Sequence, residues 1–209
     1  MLNKTNPRAY ANVYLGEVTG TGGQVFDNLI LEGISDGLMD TFDRFECGLD
    51  FGFAVDPDAL VECHYDRKYR ILYITKEFYG IKNTVDNLAK FAYSIVGKHS
   101  IIADSAEPRM ISELRRHGLN VSPAKKGTGS VDHGIRWLSE LSAIQIDPER
   151  TPNTAREFSM FEYRKDRFGN FLAEYSDKDN HCIDAVRYAV EAISTERIAI
   201  TLKKSMFGI

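Results

Sequence analysis

The feature that most constrains this chain is a change of period near residue 83. Before it, residues 44–54, Ala59–His64 and Tyr69–Tyr79 are apolar, β-branched and aromatic, with no helical repeat. They read as three strands joined by short turns, hence an antiparallel meander. After it, helix and strand alternate. Val85, Leu88, Ala89, Ala92 and Ile95 recur at helical spacing over 83–97, and Ser100–Asp104 reads as a short buried strand. A helix over 108–117 with Gly118 at its C-terminus follows, then a strand at 120–124, a helix at 130–141 and a strand at 143–146. A short helix over 151–160, a hairpin over 163–175 turning at Phe168-Gly169-Asn170, and a helix over 180–194 close the chain. Strands first paired antiparallel and then entered through helices predict an α/β fold. Its sheet is mixed, with three antiparallel strands, then parallel strands, and helices on both faces.

Residues 1–40 read differently. Asn3–Pro7 is polar, Arg8–Leu15 has the pattern of a short helix, Gly20–Gly23 interrupts it, and 24–34 has room for a strand and a turn. We read 1–40 as an N-terminal extension or linker and 41–209 as the main domain. The 209 residues carry 43% hydrophobic and 27% charged side chains, an ordinary globular balance. A net charge of −4 leaves any contact with a polyanion to local basic patches. No apolar run is long enough to span a bilayer, and nothing resembles a signal peptide. Cys47, Cys63 and Cys182 are odd in number and lack C-x-x-C spacing, so they read as buried thiols.

Three aspartates stand where regular elements end or begin. Asp50 follows the apolar strand Phe45–Leu49, Asp104 closes Ile101-Ile102-Ala103, and Asp184 lies just inside the last helix. A carboxylate on an apolar strand is costly unless it is paired or holds a metal. Carboxylates suit Mg²⁺ and Mn²⁺, and two such ions about 3.5–4 Å apart clamp a phosphodiester during displacement. Each residue also has a plainer role: a turn for Asp50, a helix cap near Ala106 for Asp104, and dipole placement for Asp184. His181 shares a helix face with Asp184, where it can bind metal or assist a proton transfer. Asp179 or Asn180 is the expected cap of that helix, and Glu107 sits in the Asp104 loop. Gly48 and Gly52 within the first strand leave room for a backbone or ligand to approach closely. His64, His99, His117 and His133 show no ligand spacing and read as structural.

Lys125-Lys126-Gly127-Thr128-Gly129-Ser130 has the composition of a phosphate-binding loop without the Walker A order. Holding a DNA phosphate and being an ordinary solvated loop are both open for it. Arg164 and Arg167 on the hairpin form a second basic cluster with the same two readings.

The ordered set of segments around these residues resembles one family. Gly48-Leu49-Asp50-Phe51-Gly52-Phe53 with Asp56-Pro57, Ile101–Pro108, Pro123–Gly127 and Asp179–Ala185 are similar to the ribonuclease H-like nuclease domain of the large terminase subunit of tailed bacteriophages. Tyr10–Glu17 resembles the segment that joins that family's ATPase to its nuclease. The resemblance implies metal ligation by Asp50, Asp104 and Asp184, with His181 beside them. It further implies two Mg²⁺ or Mn²⁺ ions and endonucleolytic cutting of double-stranded viral DNA concatemers in the host cytoplasm. Portal and small terminase subunit are the implied partners, and the packaging ATPase is absent from these 209 residues. Another ribonuclease H-like nuclease, such as a junction resolvase, and a non-catalytic docking module are the alternatives.

Overall fold

The computed structural model describes residues 23–53, 55–176 and 178–195. The expected helix over 8–15, the Gly20–Gly22 break and the segment resembling a linker at Tyr10–Glu17 lie outside these residues.

The elements run β1 (Leu29–Leu31), α1 (Asp36–Met39), β2 (Glu46–Asp50), β3 (Pro57–Asp66), β4 (Ile71–Ile81), α2 (Val85–Val96), β5 (Ile101–Ala103) and α3 (Pro108–Arg116). Then come β6 (Val121–Pro123), α4 (Ser130–Ser139), β7 (Ala143–Ile146), α5 (Pro152–Met160), β8 (Tyr163–Lys165), β9 (Phe171–Tyr175) and α6 (His181–Ala189). Seven strands form one sheet in the order β1-β7-β4-β3-β2-β5-β6, and β8 and β9 form a separate hairpin. The β2–β3 and β3–β4 pairs are antiparallel. All other neighbours in the large sheet are parallel. The mixed α/β architecture is the one the change of period requires.

Two buried clusters cover the two faces. Cys47, Leu49, Leu60, Leu88, Ala92, Ile101 and Leu114 pack beneath α2 and α3. Val61, Ile74, Ile135, Leu138, Ile144, Phe158, Ile183 and Val186 pack beneath α4, α5 and α6. Alternation along β2 divides its residues between these faces. The amphipathic α2 begins at Thr84, whose hydroxyl accepts the Asn87 amide at 3.3 Å, and ends at Gly97 with φ of 56°.

Within the 1–40 stretch, Leu29–Leu31 forms the edge strand beside β7, and Phe26 is buried with its ring 4.9 Å from that of Phe158. Strand β3 extends past the expected 59–64 at both ends. Pro57 and Asp58 look like turn residues, but Pro57 opens the strand, a position proline tolerates. Asp58 is buried, accepting the Gly52 amide at 3.0 Å and the Asn83 side-chain amide at 2.9 Å. Among the described residues no helix is long and apolar enough to cross a membrane.

A candidate carboxylate centre at the end of β2

Asp50 is the last residue of β2 and is 8% exposed, a carboxylate taken almost wholly out of water. Its parallel neighbour β5 carries the chain to Asp104, whose backbone amide donates to the Leu49 carbonyl at 2.9 Å. That bond sets Asp104 beside the strand end that bears Asp50. Helix α6 arrives from the other direction. A Cβ at Gly48 would lie 1.8 Å from the Ala185 carbonyl oxygen, so only a glycine lets the helix backbone rest on β2 here. This close approach brings Asp184 and His181 over the same strand. His181 Nδ1 lies 3.1 Å from Asp50 Oδ2.

The charges of Asp184 and Asp104 both bear on Asp50. Burial first, and these two carboxylates with it, push its pKa above the ordinary carboxylate range, opposed by the His181 hydrogen bond. That same bond raises the His181 pKa against the effect of its burial. Each acid also holds a basic partner. Lys126 Nζ lies 2.5 Å from Asp104 Oδ1, which also accepts the Ala106 amide at 3.0 Å. Arg187 holds Asp184 Oδ1 through Nε at 2.9 Å and Nη2 at 2.8 Å. Arg187 is itself buried, its stem packed on Gly134 of α4, where the nearest approach to a built Cβ would be 3.1 Å. Asp50 Oδ1 and Asp104 Oδ2 have no hydrogen-bond partner among the described residues. The centre therefore presents hard oxygen donors whose mutual repulsion the fold only partly neutralises.

The other sequence-predicted residues fall elsewhere or in changed roles. Lys126 pairs with Asp104 and keeps a half-exposed side chain. Lys125 donates its backbone amide to both carboxylate oxygens of Glu191, at 2.8 and 3.0 Å. Arg164 and Arg167 belong to the hairpin. Arg164 pairs with Glu174 at 2.6 Å, and the Arg167 guanidinium lies 4.7 Å from the Phe168 ring centroid. Asp104 makes a local turn with Ala106 rather than capping a helix, because α3 starts only at Pro108 with Glu107 before it. Glu107 is exposed and makes no side-chain cap bond.

Of the two expected caps of α6, Asn180 holds the N-cap position, without a side-chain cap bond, and Asp179 before it adopts φ of 53°. The side-chain acceptor comes from α5: Glu157 Oε2 accepts the Cys182 amide at 2.6 Å. No local pattern signals a cap supplied from 25 residues away. Glu157 is 1% exposed, and burial drives its pKa up to about 7 from 4.5. A folded-state pKa raised in this way favours the neutral acid. Its contribution is complete below about 4.5 and is lost as pH rises through 7, by up to roughly 3 kcal/mol. Asp50 and His181 shift with the same sign. Glu157→Gln keeps an oxygen for the Cys182 amide and removes the ionisation. Its melting midpoint should match the parent at pH 5, exceed it at pH 8, and fall less steeply between. An unchanged slope in calorimetry would remove Glu157 from this account.

Comparison with known proteins places this geometry in context. The chain is 45% identical over 198 residues to the large terminase subunit of Bacillus phage SPP1, covering 91% of this chain and 46% of that protein. It thus spans less than half the length of that relative. Among solved structures it resembles the Mn-bound nuclease domain of the SPP1 large terminase, with a TM-score of 0.76 at 45% identity over 80% of this chain and 97% of that one. The P22 large terminase nuclease domain shares the fold, with a TM-score of 0.61 at 18% identity over 79% of this chain and 90% of that one. The family profile of the terminase RNase H-like domain matches residues 50–192, from the aspartate at the end of β2 to beyond α6. The chain belongs to the terminase RNase H-like domain family.

Proposed function

We propose that this chain is a metal-dependent endonuclease that cuts double-stranded viral DNA during genome packaging. The observation that carries the reading is the buried Asp50 at the end of a central strand, bonded to His181 and under the charges of Asp184 and Asp104. In open sheets with parallel strands, sites form at strand carboxyl ends, and here two adjacent ones deliver the acids. The donor set fits Mg²⁺ or Mn²⁺, because carboxylate oxygens suit hard cations and Asp50 and Asp104 each keep an oxygen without a hydrogen-bond partner among the described residues. The Mn-bound SPP1 nuclease domain is in keeping with this fit. Asp50, Asp104 and Asp184 would hold two ions, which when bound supply a nucleophile at neutral pH and a Lewis-acid clamp on the phosphate.

The chain's own residues do the positioning. His181 fixes Asp50 through Oδ2. Arg187 fixes Asp184 through Oδ1, and Lys126 sets the Asp104 carboxylate. Asn180 Nδ2 also donates to Asp184 Oδ2 at 3.4 Å. Lys125 and Lys126, with Arg164 and Arg167 of the hairpin, would contact the DNA backbone without reading sequence. The portal, the small terminase subunit and a packaging ATPase would be its partners in a packaging motor, in the host cytoplasm.

The test is plasmid cleavage by the purified chain. Nicking and linearisation should appear with Mn²⁺ or Mg²⁺ and stop on chelation, on duplexes of unrelated sequence. Equal cutting in excess chelator would falsify the reading, and a strong preference for four-way junctions would favour a resolvase instead.

Lys126 yields a two-sided expectation. Its ammonium competes with a cation for Asp104 and also offers charge to a phosphate. Lys126→Ala should lower the Mn²⁺ concentration needed for half-maximal binding, while weakening DNA binding and flattening its salt dependence by about one charge. Calorimetric metal titration and DNA binding at several salt concentrations separate the two. Unchanged values in both would return the residue to an exposed ion pair worth about 0–1 kcal/mol.

A further inference from the structure

The opposite face of β2 carries a second group of ligating side chains. Cys47 and Glu62 are direct partners in the β2–β3 ladder, and Glu62 is paired in turn with Lys76 on β4. Directly opposed residues share a face. On the other side of β2, Cys47 is partnered by Ile101 of β5, and His99 lies two residues before it. The topology thus lines up Lys76, Glu62, Cys47 and His99 across four neighbouring chain segments. Cys47 packs in the cluster beneath α2 and α3, whereas Gly48 faces α6. Asp50 has the parity of Gly48, so the carboxylate centre and this group are on opposite faces of the sheet.

The ligand atoms of Cys47, Glu62 and His99 all lie within 4.8 Å of one another. Glu62 Oε1 is held by Lys76 Nζ at 3.0 Å and Thr75 Oγ1 at 3.2 Å, and Oε2 lies 3.7 Å from His99 Nδ1. Lys76 Nζ also donates to the Ile95 carbonyl at 3.2 Å, which holds the lysine at the end of α2. Glu62 and Cys47 are each 1% exposed, while the His99 side chain is 46% exposed and opens the group to water.

We propose that Cys47, Glu62 and His99 form a binding site for a thiophilic divalent cation of the Zn²⁺ class. A sulfur, an imidazole nitrogen and one carboxylate oxygen make a borderline-soft donor set, which Zn²⁺ accepts and which Mg²⁺ or Mn²⁺ do not favour. Lys76 and Thr75 on Oε1 would be the outer partners that orient the ligating carboxylate. Burial, and then the charges of Glu62 and Glu46, push the Cys47 thiol up. The thiol therefore stays protonated without a cation, and binding must release that proton. A cation held here would tie β3, β2 and the entry to β5 together. β2 ends at Asp50 and β5 leads into Asp104, so the cation's role would be to stiffen the base of the carboxylate centre.

The experiment is a titration of the metal-stripped full chain with Co²⁺, a spectroscopic stand-in for Zn²⁺. The expected result is a saturable thiolate-to-cobalt charge-transfer band at one equivalent, with release of a proton and displacement by Zn²⁺. Cys47→Ser should abolish the band, Asp50→Asn should leave it unchanged, and His99→Ala should weaken binding at least tenfold. Absence of the band at micromolar metal, or its survival in Cys47→Ser, would overturn the site. Should Cys47→Ser not fold, His99→Ala decides, since His99 is partly exposed; unchanged affinity there also overturns it.

Discussion

Asp50→Asn and Asp184→Ala should both lose DNA cleavage by more than about 100-fold, yet move stability in opposite directions. The activity loss follows from the reading of both as metal-holding carboxylates. Residues that merely orient a metal ligand already cost about 10–100-fold when changed, so a ligand itself should cost more. The stability signs follow from what each acid touches. Asp50 is an almost wholly buried carboxylate whose pKa is raised by burial and by its two acidic neighbours. Removing its charge should relieve the metal-free fold at neutral pH and above, while the Asn oxygen still accepts from His181. Asp184 is different. Its carboxylate is the partner of Arg187, a side chain only 7% exposed. Repulsion among the acids alone would make Asp184→Ala neutral or stabilising. The ion pair overrides that, because an unpartnered buried guanidinium is costly, on the order of 3 kcal/mol when a buried pair is broken. Asp184→Asn, which keeps an acceptor for Arg187, should recover much of the stability and none of the cleavage. Thermal melting in chelator beside plasmid cleavage in Mn²⁺ reads both quantities. Full activity in either variant would end the carboxylate-centre reading, and a stabilised Asp184→Ala would mean the Arg187 pair contributes little.

The sheet was legible because its signal is periodic. The switch from strand pattern to alternating helix and strand gives the meander and the parallel half, and boundaries fail only by a few residues. Those failures have local causes: Pro57 and Asp58 look like a turn but enter β3, since the Asp58 carboxylate is satisfied by Gly52 and Asn83. Asp50, Asp104, Asp184 and His181 could be picked out because polar residues at the ends of apolar segments are conspicuous. Their partners could not. Arg187 reads as an ordinary helical arginine until Gly134 and Asp184 are seen around it. Glu157 caps a helix 25 residues downstream, and His99 meets Cys47 and Glu62 only through strand pairing. For Lys125 and Lys126 the sequence left phosphate binding and a solvated loop both open. The fold adds partners it did not signal, Asp104 for the Lys126 ammonium and Glu191 for the Lys125 backbone amide. What a sequence hides here is pairing across elements, and buried charge depends on such pairing.

The single position where fold and site are most tightly joined is Gly48, and Gly48→Ala should damage both. A Cβ there would meet the Ala185 carbonyl oxygen at 1.8 Å and the Ala189 amide nitrogen at 2.7 Å. Both are backbone atoms of α6, so no rotamer change relieves the clash; the helix must move or the strand must bend. Overpacking of a core typically costs about 1–3 kcal/mol, and a clash with rigid backbone belongs at or above the upper end. For a domain of this size that corresponds to a fall in melting midpoint of roughly 10 °C. Displacing α6 also carries His181 and Asp184 away from Asp50, because their approach rests on this contact. Cleavage should therefore fall even at temperatures where Gly48→Ala remains folded, and the affinity for Mn²⁺ should fall with it. Gly37 is the control, since nothing lies within 4 Å of a Cβ built there. Gly37→Ala should melt and cleave like the parent. Parent-like Mn²⁺ affinity in a folded Gly48→Ala protein would show that the carboxylates do not depend on the β2–α6 contact for their placement.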